Sequence, residues 1–155
     1  MLTDPTAGAM EIQRYFDHIA WVTHSGDGTA HAPHIRKSPL VGNVAKALLV
    51  QVQKGDLTAP NPRSTQLVRA GGNADVTTFY RNDLAYAEDP TVDKNPHGFM
   101  ARYASPGLSG LLARANLVQT ATFLASGGIT IPQSEPARFF EVPIVILPED
   151  YSFIP

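Results

Sequence analysis

The sequence has no cysteine among its 155 residues. Disulfide bonds, thiolate nucleophiles and zinc sites with cysteine ligands are therefore excluded. The absence does not fix the cellular compartment, because cytosolic proteins can also lack cysteine.

Charge is also scarce. Charged residues make up 17% of the chain, below the usual share of about 25%. The net charge is −2, without a block of like charges, and nucleic acids and acidic membranes both need a basic face, so we predict neither partner. The low charge leaves two interpretations open, namely an oligomer or assembly that buries uncharged surface and a weakly charged monomer.

Long apolar runs are missing as well. No stretch approaches the roughly 20 residues that span a bilayer, and residues 1–10 have neither the basic start nor the apolar centre of a secretory signal. We therefore expect no signal peptide and no transmembrane segment. A chain of this length, 43% of it hydrophobic, fits a single domain over residues 1–155 with one core.

Catalytic and cofactor motifs are absent too. The glycine-rich stretches continue into neither G-x-G-x-x-G nor G-x-x-x-x-G-K-[ST], which argues against nucleotide binding. The nearest match to a nucleophile elbow, G-x-S-x-G, is residues 107–111, and it fails at Leu111. We therefore predict no catalytic residue, no cofactor and no enzymatic activity.

The regular structure that is present predicts an α+β fold with a small antiparallel or mixed β-sheet. The main helix is expected at about 108–125, preceded by Ser105 as N-cap and Pro106 at the first helical position. Gly127 and Gly128 lie where the helix should be capped. Alternation over 48–53 predicts a strand, and shorter strands are expected at 66–69 and 129–131.

The spacing of Ile12, Tyr15, Phe16 and Ile19 is that of an amphipathic helix, with a strand over 19–22 as the competing interpretation. Residues 25–42 and 55–64 are expected to be loops, because glycine, proline and polar residues are frequent there. Residues 75–81 and 84–86 are predicted to pair as an aromatic-rich hairpin.

The two ends of the chain are predicted to be arms around a core over residues 9–131. Residues 1–8 form a flexible N-terminal arm. Residues 132–155 form a proline-rich apolar arm, since their prolines forbid both a long helix and a central strand. This arm suits contact with apolar surface of this chain or of a neighbouring subunit. Its candidate interface residues are Phe139, Phe140, Val142, Ile144, Ile146, Tyr151, Phe153 and Ile154.

Two other sets of residues suggest alternative functions. His24, His31 and His34 could bind a metal in a small metal-dependent enzyme or ligand-binding domain, although His31 and His34 lack the spacing of a helical zinc motif. Trp21 and the tyrosines could instead form the stacking surface of a sugar- or peptide-binding module. The acidic residues between Asp83 and Asp93 are expected to be a solvated loop.

The run Val76-Thr77-Thr78-Phe79-Tyr80-Arg81, followed by Leu84-Ala85-Tyr86-Ala87-Glu88-Asp89, resembles the central hairpin of the head decoration proteins of lambda-like tailed phages. The loop 90–104, the helix 108–125 and the strand 128–131 follow in the same order, so the resemblance covers roughly residues 65–131. It implies a cement protein that forms trimers and reinforces a capsid, located in the virion.

From these observations we expect a structural assembly protein, a virion component that oligomerises with itself and decorates or stabilises a larger assembly such as a capsid. Loop and arm contacts would supply the binding energy, since buried apolar area contributes about 25 cal/mol per Å². A cytoplasmic location is the alternative to the virion.

Overall fold

A computed structural model describes residues 8–151 and residue 153. Of the predicted N-terminal arm only Gly8 is described, and of the candidate interface residues Ile154 lies outside the described residues. The helices and strands, in chain order, are α1 (Ala9–Thr23), α2 (Gly28–Arg36), β1 (Val50–Gln53), α3 (Asn61–Gly71), β2 (Thr77–Tyr80), α4 (Asn82–Glu88), α5 (Gly107–Ala125) and β3 (Phe140–Glu141). Short 3-10 helices lie at His24–Gly26, Ala74–Val76, Phe99–Ala104 and Ala137–Phe139.

The three strands form a mixed sheet in the order β1-β2-β3. β1 and β2 are parallel, with Val50 opposite Thr77 and Gln53 opposite Tyr80. Helix α3 makes the crossover between them, as two parallel strands require. β3 pairs antiparallel to β2, with Tyr80 opposite Phe140. The α+β class and the mixed sheet are thus confirmed.

The two faces of the sheet carry separate apolar clusters. On one face, Val52 and Phe79 pack with Val68 of α3 and with Ile144. On the other face, Tyr80 packs with the residues of a larger cluster. Its other members are Ala85, Val92, Phe99, Leu112, Ala113, Phe139 and Phe140. Alternation along β2 sends Phe79 and Tyr80 to opposite faces, so one short strand contributes to both clusters.

A buried polar layer joins the sheet to α5. The Gln51 amide nitrogen donates to Asn116 Oδ1 and to Gln119 Oε1, each at 3.0 Å. Thr78 Oγ1 also donates to Gln119 Oε1 at 3.0 Å, and Gln119 Nε2 donates to the carbonyl of Pro132 at 2.8 Å. No fully buried side-chain nitrogen or oxygen of these four residues lacks a hydrogen-bond partner, which is the condition for placing polar groups inside a core.

The C-terminal segment belongs to the core of its own chain, which corrects the boundary predicted at residue 131. Phe139, Phe140 and Ile144 are buried. The backbone of this segment is bonded to β2, since Arg81 N donates to Phe139 O and Ile144 N donates to Thr77 O, each at 2.8 Å. The prolines rule out long regular elements but leave room for the two-residue strand β3.

The predicted hairpin is wrong. β2 is a strand, but residues 82–88 form α4 in place of the returning strand. Asn82 and Ala85, three residues apart, are buried whereas Leu84 is exposed, so the buried face follows helical spacing. The aromatic content of 75–86 suits either structure, and burial of Ala85 decides between them.

Other local predictions also need correction. Residues 28–36 are helical where a loop was expected, because the Asp27 side chain accepts from Thr29 N at 2.9 Å and caps α2. Residues 66–69 lie inside α3, and residues 129–131 are not in a strand. The stripe from Ile12 to Ile19 is helical, and α1 extends through the alternative strand at 19–22.

The main helix is confirmed at Gly107–Ala125. It begins one residue after Pro106, and no side-chain cap hydrogen bond is made at its start. A Cβ on Gly110 would lie 1.8 Å from the carbonyl oxygen of Ser105. Glycine is therefore required at this position by the close approach of the chain before α5. Among residues 8–151, no helix is long and apolar enough to cross a membrane.

Candidate active site

The carboxyl ends of β1 and β2 lie at one edge of the sheet, because the two strands are parallel. In open α/β sheets this edge is where ligands bind, since loops leaving neighbouring strands meet there. The loop after β1 begins at Lys54 and contains Asp56. The segment after β2 contains α4 and then the loop that ends at His97.

Asp56 is a buried carboxylate with both oxygens occupied. Its Oδ1 accepts from Thr58 N at 2.7 Å and from Ala59 N at 2.8 Å. Its Oδ2 lies 3.0 Å from Nδ1 of His97. The Asp56 side chain is 3% exposed and that of His97 is 51% exposed. A fixed carboxylate therefore holds Nδ1 of a ring that is about half exposed to solvent.

Hydrogen bonds from two asparagine side chains hold the loop that carries His97. Asn82 Nδ2 donates to the carbonyls of Asp93 and Lys94, each at 3.1 Å. Asn95 Oδ1 accepts from Leu57 N at 3.1 Å and from His97 N at 3.2 Å. The hydrogen bond between Leu57 N and Asn95 Oδ1 thus joins the loop after β1 to the loop before His97, next to the Asp56–His97 hydrogen bond.

Buried polar side chains hold the backbone next to the Asp56–His97 pair. Asn61, at the start of α3, accepts from Gly55 N at 3.0 Å and donates to Gln53 O at 2.6 Å. The Tyr80 hydroxyl donates to Asn82 Oδ1 at 3.0 Å, and its ring stacks on Phe99 with centroids 4.4 Å apart. Burial raises the pKa of Tyr80, and the carboxylates of Asp83 and Asp93 add to the effect. Tyr80 therefore stays a neutral donor that holds Asn82.

Such a pair can act as a base and its orienting group. When Nδ1–H donates a hydrogen bond to Asp56, a neutral ring has its lone pair on Nε2, where it can take a proton from a nucleophile. No hydrogen bond from a described residue reaches Nε2. The geometry supplies two of the three roles of a nucleophilic hydrolysis site, and the described residues do not supply the attacking hydroxyl.

A separate groove of 750 Å³ lies beside the same sheet edge, between Lys54, Arg81, Glu141 and the apolar segment from Val145 to Pro148. Arg81 donates to Asp83 at 2.7 Å and to Glu141 at 3.2 Å. Burial raises the pKa of Asp83, but the hydrogen bonds and charge of Arg81 outweigh it and leave that pKa below its ordinary value. Neither Asp56 nor His97 lines this groove.

The residues predicted to form an interface divide into two groups. Phe139, Phe140 and Ile144 are buried in this chain and are not available to a partner, which corrects their assignment. Val142 is half-buried against the larger cluster. Ile146, Tyr151 and Phe153 are exposed, and so is the neighbouring Val145, so only the end of the segment offers apolar surface.

The histidines of the metal hypothesis do not converge. His31 and His34 lie on α2, where His31 Nε2 is 3.0 Å from the carbonyl of Ser25 and His34 Nδ1 is 2.7 Å from that of Ser38. His24 lies in the 3-10 helix after α1. Within the described part of the chain, no group of three histidine, aspartate or glutamate side chains could hold a metal ion.

The remaining candidates are dispersed. Trp21 and Tyr15 are exposed on α1, whereas Tyr80 is buried in the core and cannot belong to a stacking surface with them. The acidic residues after β2 pair with separate arginines. These pairs are Asp83–Arg81, Glu88–Arg138 and Asp93–Arg102.

Sequence reasoning missed both Asp56 and His97. The available signal was positional, since Asp56 follows the clearest strand of the sequence by three residues and His97 is the one histidine outside the cluster at 18–34. The sequence did not reveal that the loops carrying them meet, because that depends on β1 and β2 being parallel neighbours.

Comparison with known proteins adds no relative. No family model, no curated protein and no solved structure matches the chain.

Proposed function

We propose that the chain provides the acid–base centre of a hydrolase that acts on acyl compounds such as carboxylic esters. The observation that carries the proposal is the hydrogen bond of 3.0 Å between the buried Asp56 carboxylate and His97 Nδ1, with about half of the His97 side chain exposed. His97 is the general base in this proposal, and Asp56 is a positioning residue that fixes its tautomer.

The order and location of the pair favour acyl hydrolysis. In α/β-hydrolases the acid of the triad precedes its histidine along the chain, and the site lies at the top of the sheet. Asp56 follows β1 and His97 follows β2, in that order, at the carboxyl ends of parallel strands. A shared arrangement of this kind supports a reaction class, whereas a specific substrate needs evidence from the site.

The proposed step uses water as the attacking group. The water oxygen forms a bond to the acyl carbon while its proton passes to Nε2 of His97. The ester C–O bond then breaks, and the departing alcohol takes the proton back from Nε2.

The test is the hydrolysis of p-nitrophenyl acetate by the wild type and by His97→Gln. We expect the substitution to lower the rate about 100-fold or more, the usual contribution of a general base. His18→Gln is the matched control, since His18 is an exposed histidine on α1. Equal rates for His97→Gln and His18→Gln would remove the basis of the proposal.

The second candidate is the structural assembly protein predicted from the sequence. The observation that favours it is α1, a helix of 15 residues with no buried residue and with large exposed apolar side chains. Self-association is the proposed role of that surface. Trimer formation, decoration of a capsid and a virion location stay predictions, and the hairpin that carried the resemblance to phage decoration proteins is replaced by β2 and α4.

One measurement of molecular mass distinguishes the two candidate functions. Light scattering after size exclusion tests the assembly protein, for which we expect a mass above the monomer mass of 16.7 kDa. A strictly monomeric protein would contradict assembly and leave the hydrolase proposal untouched.

A further inference from the structure

No side chain on the apolar side of α1 is buried within the described chain. We define the α1 stripe as Ile12, Tyr15, Phe16, Ile19 and Val22, which fall within an arc of about 120° at 100° per residue. Tyr15 is 50% exposed, Phe16 54%, Ile19 42% and Val22 67%. An amphipathic helix normally packs such a stripe against a core. Because this stripe is left exposed by its own chain, it is suited to being covered by a binding partner.

The helix also has little reason to be stable alone. Isolated helices shorter than about 12–15 residues are marginal in water, and most helical stability in proteins comes from packing of the apolar face. α1 has 15 residues, and its described contacts are concentrated at its C-terminal end, next to the 3-10 helix His24–Gly26. A partner that covers the stripe would supply the missing stabilisation.

The geometry points to a second copy of this chain as the partner: we infer that the protein forms a two-fold dimer in which the α1 stripe of one copy packs against the α1 stripe of the other. This inference rests on the assembly function proposed above and names the surface. A two-fold interface uses the same patch on both subunits, and the stripe runs almost the whole length of the helix, so each copy can cover the other.

The exposed area fits a dimer. With side-chain areas of about 150–250 Å² for aromatic residues, the exposed parts of the stripe sum to about 400 Å² in each copy. Two copies would remove about 800 Å² of apolar surface, close to the apolar share of a standard interface, which buries about 1,600 Å² in total. The charges on α1 oppose pairing only weakly, since Arg14 offsets one of the two acidic residues Glu11 and Asp17.

The first test is the mass of the protein by light scattering after size exclusion at about 100 μM. We expect the wild type at twice 16.7 kDa and the double variant Phe16→Glu/Ile19→Glu at the monomer mass. The two proteins should have the same melting temperature when dilute enough for both to be monomeric, because the stripe is outside the core. Trp21→Glu is the matched control. Trp21 is 79% exposed on the opposite face of α1, and its variant should stay dimeric.

The outcomes separate the inference from the assembly function. A wild-type oligomer that persists in Phe16→Glu/Ile19→Glu would overturn the role of the stripe while leaving assembly in place. A wild-type monomer would overturn both. Loss of the dimer in Trp21→Glu as well would assign association to the helix surface in general and would overturn the stripe.

A second measurement does not depend on charge insertion. Because the chain has no cysteine, Phe16→Cys places a single thiol at the middle residue of α1, near the two-fold axis whether the helices are parallel or antiparallel. We expect it to form a disulfide-linked dimer on mild oxidation, and Asp17→Cys, about 160° around the helix from the stripe, to form it at least 10-fold more slowly. Equal rates for the two variants would overturn the inference.

Discussion

The sheet region and the N-terminal helices use apolar residues in opposite ways. Around the sheet, two clusters bury aromatic and aliphatic side chains from α3, α5 and the C-terminal segment. Among the described residues of α1 and α2, only Ala32 is buried. Helix α2 packs on α3, whereas the apolar side of α1 buries no residue within the described part of the chain.

The difference shows that hydrophobic periodicity predicts where a helix forms, but not which other element its apolar face packs against. The stripe from Ile12 to Ile19 gives α1, as the pattern requires. The C-terminal segment has no periodicity, yet it supplies Phe139, Phe140 and Ile144 to the core. Burial follows from which surfaces meet, and that depends on contacts distant in the sequence.

The largest expected difference in the free energy of unfolding is between truncating a buried ring near the sheet and truncating an exposed ring on α1. Phe139→Ala should lower the free energy of unfolding by about 3–5 kcal/mol, because the ring is fully buried and leaves a cavity. Phe16→Ala, on the exposed helix α1, should change it by less than about 0.5 kcal/mol when the protein is dilute. Urea denaturation measures both values. Equal losses would mean that the two regions do not differ as described.

A smaller effect is expected from the buried polar layer. Gln119→Ala should cost about 2–3 kcal/mol, since it leaves the donors of Gln51 and Thr78 and the carbonyl of Pro132 without their partner. Gln13→Ala on α1 should have almost no effect, because its hydrogen bond to Asp17 is exposed. The same denaturation experiment applies, and a neutral Gln119→Ala would show that the layer can relax.

Two glycines give a third contrast. Gly110→Ala should be destabilising by about 1–3 kcal/mol, because the new methyl group would meet the backbone of Ser105. Gly26→Ala should be neutral or slightly stabilising, because no atom lies within 4 Å of its added Cβ. Thermal melts of the two variants check the prediction. A destabilised Gly26→Ala would indicate that the N-terminal helices are packed more tightly than the contacts described above.

The smallest effect is electrostatic. Because the pKa of Asp83 is lowered in the folded chain, its stabilising contribution is present above the ordinary aspartate pKa of about 4 and is lost as the pH falls through the lowered value. Asp83→Asn should therefore be less stable than wild type by up to about 1 kcal/mol at pH 7, with the difference vanishing near pH 2. A difference in stability between wild type and Asp83→Asn that stays constant from pH 7 to pH 2 would contradict the role of the ion pair.

The sequence was enough to predict the α+β class, the strand at Val50–Gln53 and the helix at Gly107–Ala125, because strong local patterns mark them. It misled at residues 82–88, where aromatic residues suit a strand but the packing of Ala85 selects a helix. The candidate site could not be predicted, because Asp56 and His97 are 41 residues apart and no local motif joins them. Their meeting depends on the parallel pairing of β1 and β2.

The most direct test of the account is the tautomer of His97, measured by ¹⁵N NMR of its neutral imidazole in wild type and in Asp56→Asn. We predict Nδ1–H with an unprotonated Nε2 in the wild type. In Asp56→Asn the amide oxygen must stay on Thr58 N and Ala59 N, so the amide nitrogen faces Nδ1 and shifts the proton to Nε2. A wild-type ring already protonated on Nε2, or a ring unaffected by Asp56→Asn, would contradict the acid–base pair.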